Sequence, residues 1–256
     1  MDATGLSPAD LRKHIRRGSY DGLTTGLAAG YLQGNVVILP AEAAGEFEAF
    51  CRANPQSLPL IERGKPGDPM LACGTDFDVR SDLPRYRVWH DGVPTETLTD
   101  ISPIWAKDSV AFILGRWFAN EAALADAGIR LRHMELGIQG ALFRTSIAAV
   151  PAGRFAGPVV ASMRPFAQED VARVAAITGK RPLAHGAPLH IGSPDALGID
   201  DLNTPDFGDP LPPLPGETAM FWACGLTGQE ALASSGLPFF ITHEHGHMAV
   251  TDIPVE

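Results

Sequence analysis

The sequence predicts a mixed α/β chain whose two ends build one larger mixed sheet, with a smaller α+β sheet-plus-helix unit inserted between them. Three observations carry that expectation. Apolar runs of strand length alternate with helix-spaced segments along the chain. The 27 Gly and 22 Pro residues among 256 demand many turns. From Ile129 the texture changes, and two alternating segments, a strand and a helix follow in close succession. The larger unit is therefore expected to take residues 1–127 with 182–256, and the smaller one residues 128–181.

The first element is a helix opened by Ser7-Pro8-Ala9-Asp10, an N-cap serine with proline at the first helical position and an acid in the first turn. It runs through Leu11, His14 and Ile15 to a stop at Gly18, and its cluster Arg12, Lys13, Arg16 and Arg17 is expected to be a solvated, dipole-compatible helix end. Residues 20–35 are too glycine-rich for a regular element, and Val36-Val37-Ile38-Leu39 reads as a buried strand ended by Pro40. Helical spacing follows from Ala41 to Ala53, closed by Asn54-Pro55. Loops are then expected up to Asp76-Phe77-Asp78-Val79. Arg85 to Trp89 alternates and Asp91-Gly92 offers a two-residue hairpin turn. Ser109 to Leu114 is a buried strand, and Phe118 to Ala127 a helix closed by Gly128.

In the inserted unit, Ile129–Met134 and Ala141–Ile147 alternate, Gly157–Met163 reads as a third strand, and Gln168–Thr178 as a helix with Val171, Val174, Ala175 and Thr178 on one face. A Pro/Gly-rich stretch at 182–218 leads to a strand at Ala219–Trp222, a helix from Thr227 to Ser235 and a strand from Pro238 to Thr242.

Composition excludes several function classes. Thirty acids against 20 bases give a formal charge of −10, without the basic footprint of a nucleic-acid binder. No apolar run approaches the ~20 residues of a membrane helix, and Met1 to Ser7 lacks a secretory h-region. Cys51, Cys73 and Cys224 are odd in number and widely spaced, which fits neither a disulfide scaffold nor a zinc ribbon. A cytoplasmic protein acting on a small molecule is the expectation, with no nucleic-acid or membrane partner and with homo-oligomerisation left open.

Histidines dominate the candidate chemistry. In Thr242-His243-Glu244-His245-Gly246-His247, residues two apart share a face of an extended chain. His243, His245 and His247 could thus ligate a divalent metal; acid/base work, substrate contact and plain packing are the other readings. His185 and His190 sit in the tight loop His185-Gly186-Ala187-Pro188-Leu189-His190. Cys224 stands at a strand-to-helix turn, where a helix N-terminus lowers a thiol's pKa, although buried structural cysteine is the commoner fate. Arg85, Arg87, Arg144 and Arg164 are candidates to fork a carboxylate. The glycine-rich loop 22–34 could present backbone N–H groups to an anion. It lacks GK[ST] and follows no strand, so ATP and NAD are not expected.

A resemblance covers nearly the whole chain in order. Ile15-Arg16-Arg17-Gly18 and Gly22-Leu23-Thr24-Thr25-Gly26 through Gln33-Gly34-Asn35 open it; Asp76-Phe77-Asp78-Val79-Arg80, Phe143-Arg144-Thr145 and Ser162-Met163-Arg164-Pro165 continue it. His185 to Gly192, Phe221-Trp222-Ala223-Cys224-Gly225 and Ile241-Thr242-His243 complete it. Together they resemble the D-glutamate cyclase family, most of whose members carry a generic hydro-lyase label. Thr25, Ala29, Ile138-Gln139-Gly140 and His245 depart from the family's usual residues.

The resemblance implies a two-part mixed α/β fold and the dehydrating cyclisation of D-glutamate to 5-oxo-D-proline, a carbon–oxygen lyase reaction. On that reading His243 is the first acid/base candidate, with His185 its partner or alternate. Arg144 and Arg164 clamp carboxylates, and Thr25, Gln33, Asn35 and His190 contact substrate. Cys224 as a covalent acyl carrier is less favoured. No cofactor is expected, and the alternatives are a metal-dependent hydrolase or dehydratase built on the C-terminal histidines, or a non-catalytic amino-acid-binding protein. The substrate would be a small anionic amino acid or hydroxy acid.

Overall fold

A computed structural model describes residues 3–255. Met1 and Asp2, part of the segment read for a leader, and Glu256 lie outside the described residues. The elements in order are α1 (Pro8–Arg16), β1 (Tyr31–Pro40), α2 (Ala41–Ala53), β2 (Leu60–Arg63), β3 (Met70–Leu71), β4 (Phe77–Asp78), β5 (Tyr86–His90), β6 (Val93–Leu98) and β7 (Ser109–Leu114). They continue as α3 (Glu121–Asp126), α4 (Arg132–Glu135), β8 (Ala141–Ala148), β9 (Pro158–Ala167), α5 (Val171–Gly179) and β10 (His190–Ile191). The last are β11 (Phe207–Gly208), β12 (Glu217–Ala223), α6 (Leu226–Ala233), β13 (Phe239–His243) and β14 (Ala249–Pro254).

The fold is mixed α/β with antiparallel sheets. The larger sheet runs β2-β7-β1-β13-β5-β6, with β14 on the N-terminal half of β1. The second runs β10-β12-β9-β8-β11. Strands from the two ends of the chain do meet: Val37 of β1 pairs with Thr242 of β13, and Gly34 with Ala249 of β14. The second sheet does not close within 128–181. It recruits β10, β11 and β12 from 190–223, because Glu217–Ala223 pairs along the whole of Ala161–Ala167.

Local chemistry accounts for most elements. Ser7 caps α1, its hydroxyl accepting from the Asp10 N–H at 3.1 Å. Asp91 and Gly92 both adopt positive φ (+48° and +77°), as a two-residue turn between β5 and β6 requires. One face of the larger sheet packs α2 through Phe47 against Phe112 and Phe155, ring centroids 5.0 and 5.2 Å apart and edge-to-face. Ala231 and Leu232 of α6 and Ala223 of β12 join that same core, so it ties the two sheets together.

Several expectations are corrected. The basic cluster of α1 is solvated only in part: Lys13, Arg16 and Arg17 are exposed, but Arg12 is buried, donating to the Val250 and Thr75 carbonyls at 2.7 and 3.0 Å and pairing with Asp252. Arg16 forks the buried Asp82 at 2.7 Å through both Nε and Nη2. β1 begins at Tyr31, inside the glycine-rich stretch; at Gly34 a side chain would collide with Ile113, so glycine there admits the neighbouring strand rather than ending this one. Ile129–Met134 is no strand. Arg132–Glu135 forms a single helical turn, with Leu131, Arg132 and His133 buried in succession, and Arg132 anchors it by pairing with Glu217. Among the described residues no helix is long and apolar enough to cross a membrane.

Candidate active site

Along one edge, β1 changes partner between Gly34, which faces β14, and Val37, which faces β13. The chain linking those two strands, Glu244 to Met248, leaves the sheet at that fork. Thr24 fastens it: the Thr24 N–H donates to the Gly246 carbonyl at 2.8 Å, and its hydroxyl accepts from the Met248 N–H at 2.9 Å. Beside the fork lies a cavity of about 340 Å³ between the two sheets, at the small end of the range for small-molecule sites.

The cavity brings together Thr25, Asn35, Arg164, His185, Cys224, His243 and His245 from the residues singled out above. It also holds Arg116, which sequence reasoning missed. Among the described residues no Asp or Glu lines it.

The two arginines define its charge. Arg164 on β9 is 3% exposed and donates to Ser162 Oγ at 3.0 Å and to the Met163 and Gln139 carbonyls at 2.7 and 2.6 Å, while its Nε has no partner. Arg116 follows β7, is 7% exposed, and has neither a hydrogen bond nor an ion pair among the described residues; its guanidinium lies 3.7 Å over the Phe118 ring. Burial pushes Arg116 down to about 9 and Arg164 to about 10. Trp117, beside them, also has a buried indole N–H with no partner. Unpartnered buried donors are uncommon enough to call for an explanation, and an anionic ligand supplies one.

The imidazoles are held differently. His185 is 2% exposed, sits at φ +71°, and its Nδ1 lies 2.7 Å from the Gln56 carbonyl. Burial, with Arg116 nearby, pushes it down to about 4. His243, at the end of β13, takes the Val36 N–H on Nδ1 at 3.1 Å. Burial and the neighbouring His245 push it down to about 3. Cys224 stands where β12 turns into α6. Its pKa is raised, not lowered as the helix-start reading expects: burial outweighs the Leu226 and Gly225 N–H groups and the two arginines.

Other candidates lie elsewhere. Arg144 is half-exposed on β8 and forks between Asp206 (2.8 Å) and Glu230 (2.7 Å). Arg85 pairs with Asp21, and Arg87 with Glu244. Gln33 braces the glycine-rich loop, donating to the Thr24 and Leu27 carbonyls at 2.8 and 2.9 Å. His190 contacts the Ser193 carbonyl at 2.8 Å on the outer β10, and His247 the His245 carbonyl at 2.7 Å. Neither lines the cavity. His243, His245 and His247 do not converge, and among the described residues no three His, Cys, Asp or Glu side chains form a group able to hold a metal ion. The signal for Arg116 was present: a lone charge one glycine after the fully apolar Val110–Leu114 and directly before Trp117-Phe118.

The model of the D-glutamate cyclase family matches residues 110–252, a span that carries Arg116, Arg164, His185, Cys224 and His243. The chain belongs to the D-glutamate cyclase family. A Pseudomonas aeruginosa protein named "Putative hydro-lyase" is 50% identical over 248 residues, 96% of this chain and 94% of that one. A Bradyrhizobium sp. protein of the same name is 46% identical over 253 residues, 98% of this chain and 93% of its own length. Among solved structures, a nitrogen repressor-like protein of Methanococcus jannaschii aligns over 98% of this chain and 99% of its own, at 8% identity and a TM-score of 0.41. As a D-glutamate cyclase family member with hydro-lyase relatives, the protein is a carbon–oxygen lyase.

Proposed function

We propose that this cyclase family member closes D-glutamate to 5-oxo-D-proline in the cavity, with Arg116 and Arg164 receiving the two carboxylates. The observation that carries the reading is the pair of buried arginines facing one cavity that no described Asp or Glu lines; among the described residues neither is paired with a carboxylate, Glu121 acting on both only from a distance. A free buried cation is costly unless a counter-charge arrives, and a dicarboxylate brings one for each. Arg144, the clamp expected from the sequence, already holds two acids of its own. The family description supplies the D-glutamate.

Cyclisation asks little covalent chemistry of the protein. The α-ammonium loses two protons, its nitrogen bonds to the carbon of the γ-carboxyl group, and one oxygen of that carboxyl leaves as water carrying both. No proton is gained or lost overall. Holding the five-atom chain folded supplies proximity, which in well-oriented intramolecular reactions contributes about 7–11 kcal/mol. Donors aimed at the γ-carboxyl make its carbon electrophilic and stabilise the oxyanion that forms on attack.

The test is to incubate the purified protein with D- and L-glutamate separately and follow 5-oxoproline by chiral chromatography. Product from the D-isomer alone is the expected result. No product from either isomer, in a sample that glutarate nevertheless stabilises against heat, would replace glutamate with another small dicarboxylate.

A further inference from the structure

We propose that the two cavity imidazoles divide the proton chemistry by tautomer: His185 presents a bare Nε2 and carries protons, while His243 presents an Nε2–H and keeps it. The inference rests on the cyclisation reading for its chemistry and on hydrogen-bond geometry for its assignment.

The assignment follows from what each Nδ1 faces. A backbone carbonyl can only accept, so the 2.7 Å contact between His185 and the Gln56 oxygen puts the proton on Nδ1 and leaves Nε2 a lone pair. A backbone N–H can only donate, so the 3.1 Å contact from Val36 makes His243 Nδ1 the acceptor and puts its proton on Nε2. The Val36 carbonyl is farther from that nitrogen, at 3.4 Å. Neither Nε2 has a partner among the described residues, and both rings line the cavity.

The surroundings hold these tautomers in place. His185 occupies a left-handed backbone conformation that a β-carbon disfavours, so the packing around it must over-determine its position. Gln56 grips the loop twice, by its carbonyl and by its side-chain amide, which donates to the Ala187 carbonyl at 3.0 Å. Asn120 donates to the Ala184 carbonyl at 3.0 Å, and Gly115 lies so close to the Leu183 carbonyl that no side chain fits between them. Gln56 and Asn120 are therefore positioning residues. His243 is fixed by backbone alone, at the fork of β1. Arg116 faces both rings, and His245 and Glu244 also face His243.

The steps balance on this assignment. His185 Nε2 takes a proton from the ammonium and passes it to a γ-carboxylate oxygen. The freed amine attacks the γ-carboxyl carbon, and His185 takes the second nitrogen proton as the C–N bond forms. Throughout, the His243 N–H holds the developing oxyanion. The imidazolium of His185 then protonates the γ-hydroxyl, the C–O bond breaks, and water leaves. This reverses the expectation from the sequence, in which His243 is the first candidate for the base.

The deciding measurement is nitrogen NMR of the ligand-free protein labelled with ¹⁵N-histidine, which reads each ring's tautomer. The expected spectrum shows His185 protonated at Nδ1 and His243 at Nε2; the opposite pattern at either ring overturns the proposal. Variants supply the second arm. Glutamine can mimic an Nε2–H donor but not a base, so His243→Gln is expected to keep about a tenth or more of kcat, where His243→Ala loses about 100-fold. His185→Gln is expected to fall about 10³-fold or more. A His243→Gln variant as dead as His185→Gln, with its fold intact, would overturn the division of roles. Because the tautomers are read without substrate, a protein that makes no 5-oxoproline overturns the cyclisation reading, while the tautomer assignment stands or falls on its own spectrum.

Discussion

Replacing Arg116 with methionine separates a residue that holds the fold from one kept for a ligand. Arg116 follows the buried strand β7, its guanidinium over the Phe118 ring and without a hydrogen bond or ion pair among the described residues. Burial pushes its pKa from the ordinary guanidinium range down to about 9. At about 1.4 kcal/mol per tenfold, that places about 5 kcal/mol of desolvation on the free protein. Cavity water reduces this ceiling, and the cation–π contact returns about 1–2 kcal/mol. Methionine keeps most of the packing, so Arg116→Met is expected to stabilise the fold by about 1–3 kcal/mol. In a chain of this length that is a rise in Tm of about 2–10 °C.

The same change should cost activity. Hydrogen bonds to a charged partner are worth about 1.5–3 kcal/mol each, so loss of a two-point clamp predicts a fall in kcat/KM of about 10²–10⁴. The assay pairs urea denaturation of both proteins with thermal shift in glutarate. At about 100 times its Kd a ligand stabilises by about 2.7 kcal/mol, a shift the variant should lack. A variant less stable than the parent that still responds to glutarate would refute the reasoning, because Arg116 would then be a structural residue.

Arg144→Ala should leave kcat/KM within about threefold and cost about 0–1 kcal/mol in urea, because its half-exposed ion pairs are screened by water. A collapse of activity with the fold intact would restore Arg144 to the site. Gly115→Ala should cost about 1–3 kcal/mol by overpacking and lower kcat, since the new methyl would strike the Leu183 carbonyl beside the His185 loop; an unchanged kcat would show that loop to be tolerant. Stability should also fall in acid. His185 moves from 6.5 down to about 4 on folding, so between those values the unfolded chain binds the extra proton. Its contribution of about 3 kcal/mol is complete above about pH 6.5 and lost as pH falls through about 4. Urea midpoints at pH 7 and 4.5 should converge in His185→Gln relative to the parent, and an equal pH dependence in the two proteins would rule this out.

Local signals were legible and partnerships were not. The helix Ala41–Ala53 and the strand Ser109–Leu114 stand at the residues where spacing and apolar runs place them, and Asp91-Gly92 turns as its dihedral preferences require. β14 was obscured because Asp252 and Pro254 interrupt its alternation, although Ala249, Val250 and Thr251 are all buried against neighbours. Antiparallel order could not be read, since pairing β1 with β13 and β14 joins residues some two hundred positions apart. For the same reason the texture of the sequence ends the second unit at 181, short of the strands from 190–223 that complete its sheet. In the site, residue type pointed to His185, His243, Arg164 and Cys224, which share the cavity. Type alone cannot say whether an acid stands opposite an arginine. Arg144, expected as a clamp, is occupied by Asp206 and Glu230, whereas Arg116, which the sequence does not single out, has no ion pair among the described residues.

That contrast explains how a chain of net charge −10 can take an anion. Its overall field repels a dicarboxylate at a distance, so recognition must come from charges that solvent cannot screen. Arg12 and Arg132 are buried with Asp252 and Glu217 beside them, so their charge is spent within the fold. Arg116 and Arg164 are equally buried but lack such partners among the described residues, none of whose carboxylates lines the cavity to compete for them. The aromatic core that joins α2, α6 and both sheets can carry the resulting penalty. A monocarboxylate would relieve one guanidinium and leave the other exposed to the same desolvation. A dicarboxylate would relieve both, so on the proposed function the second charge is what the cavity would select for, and the neutral imidazoles beside it add no acid of their own to oppose it.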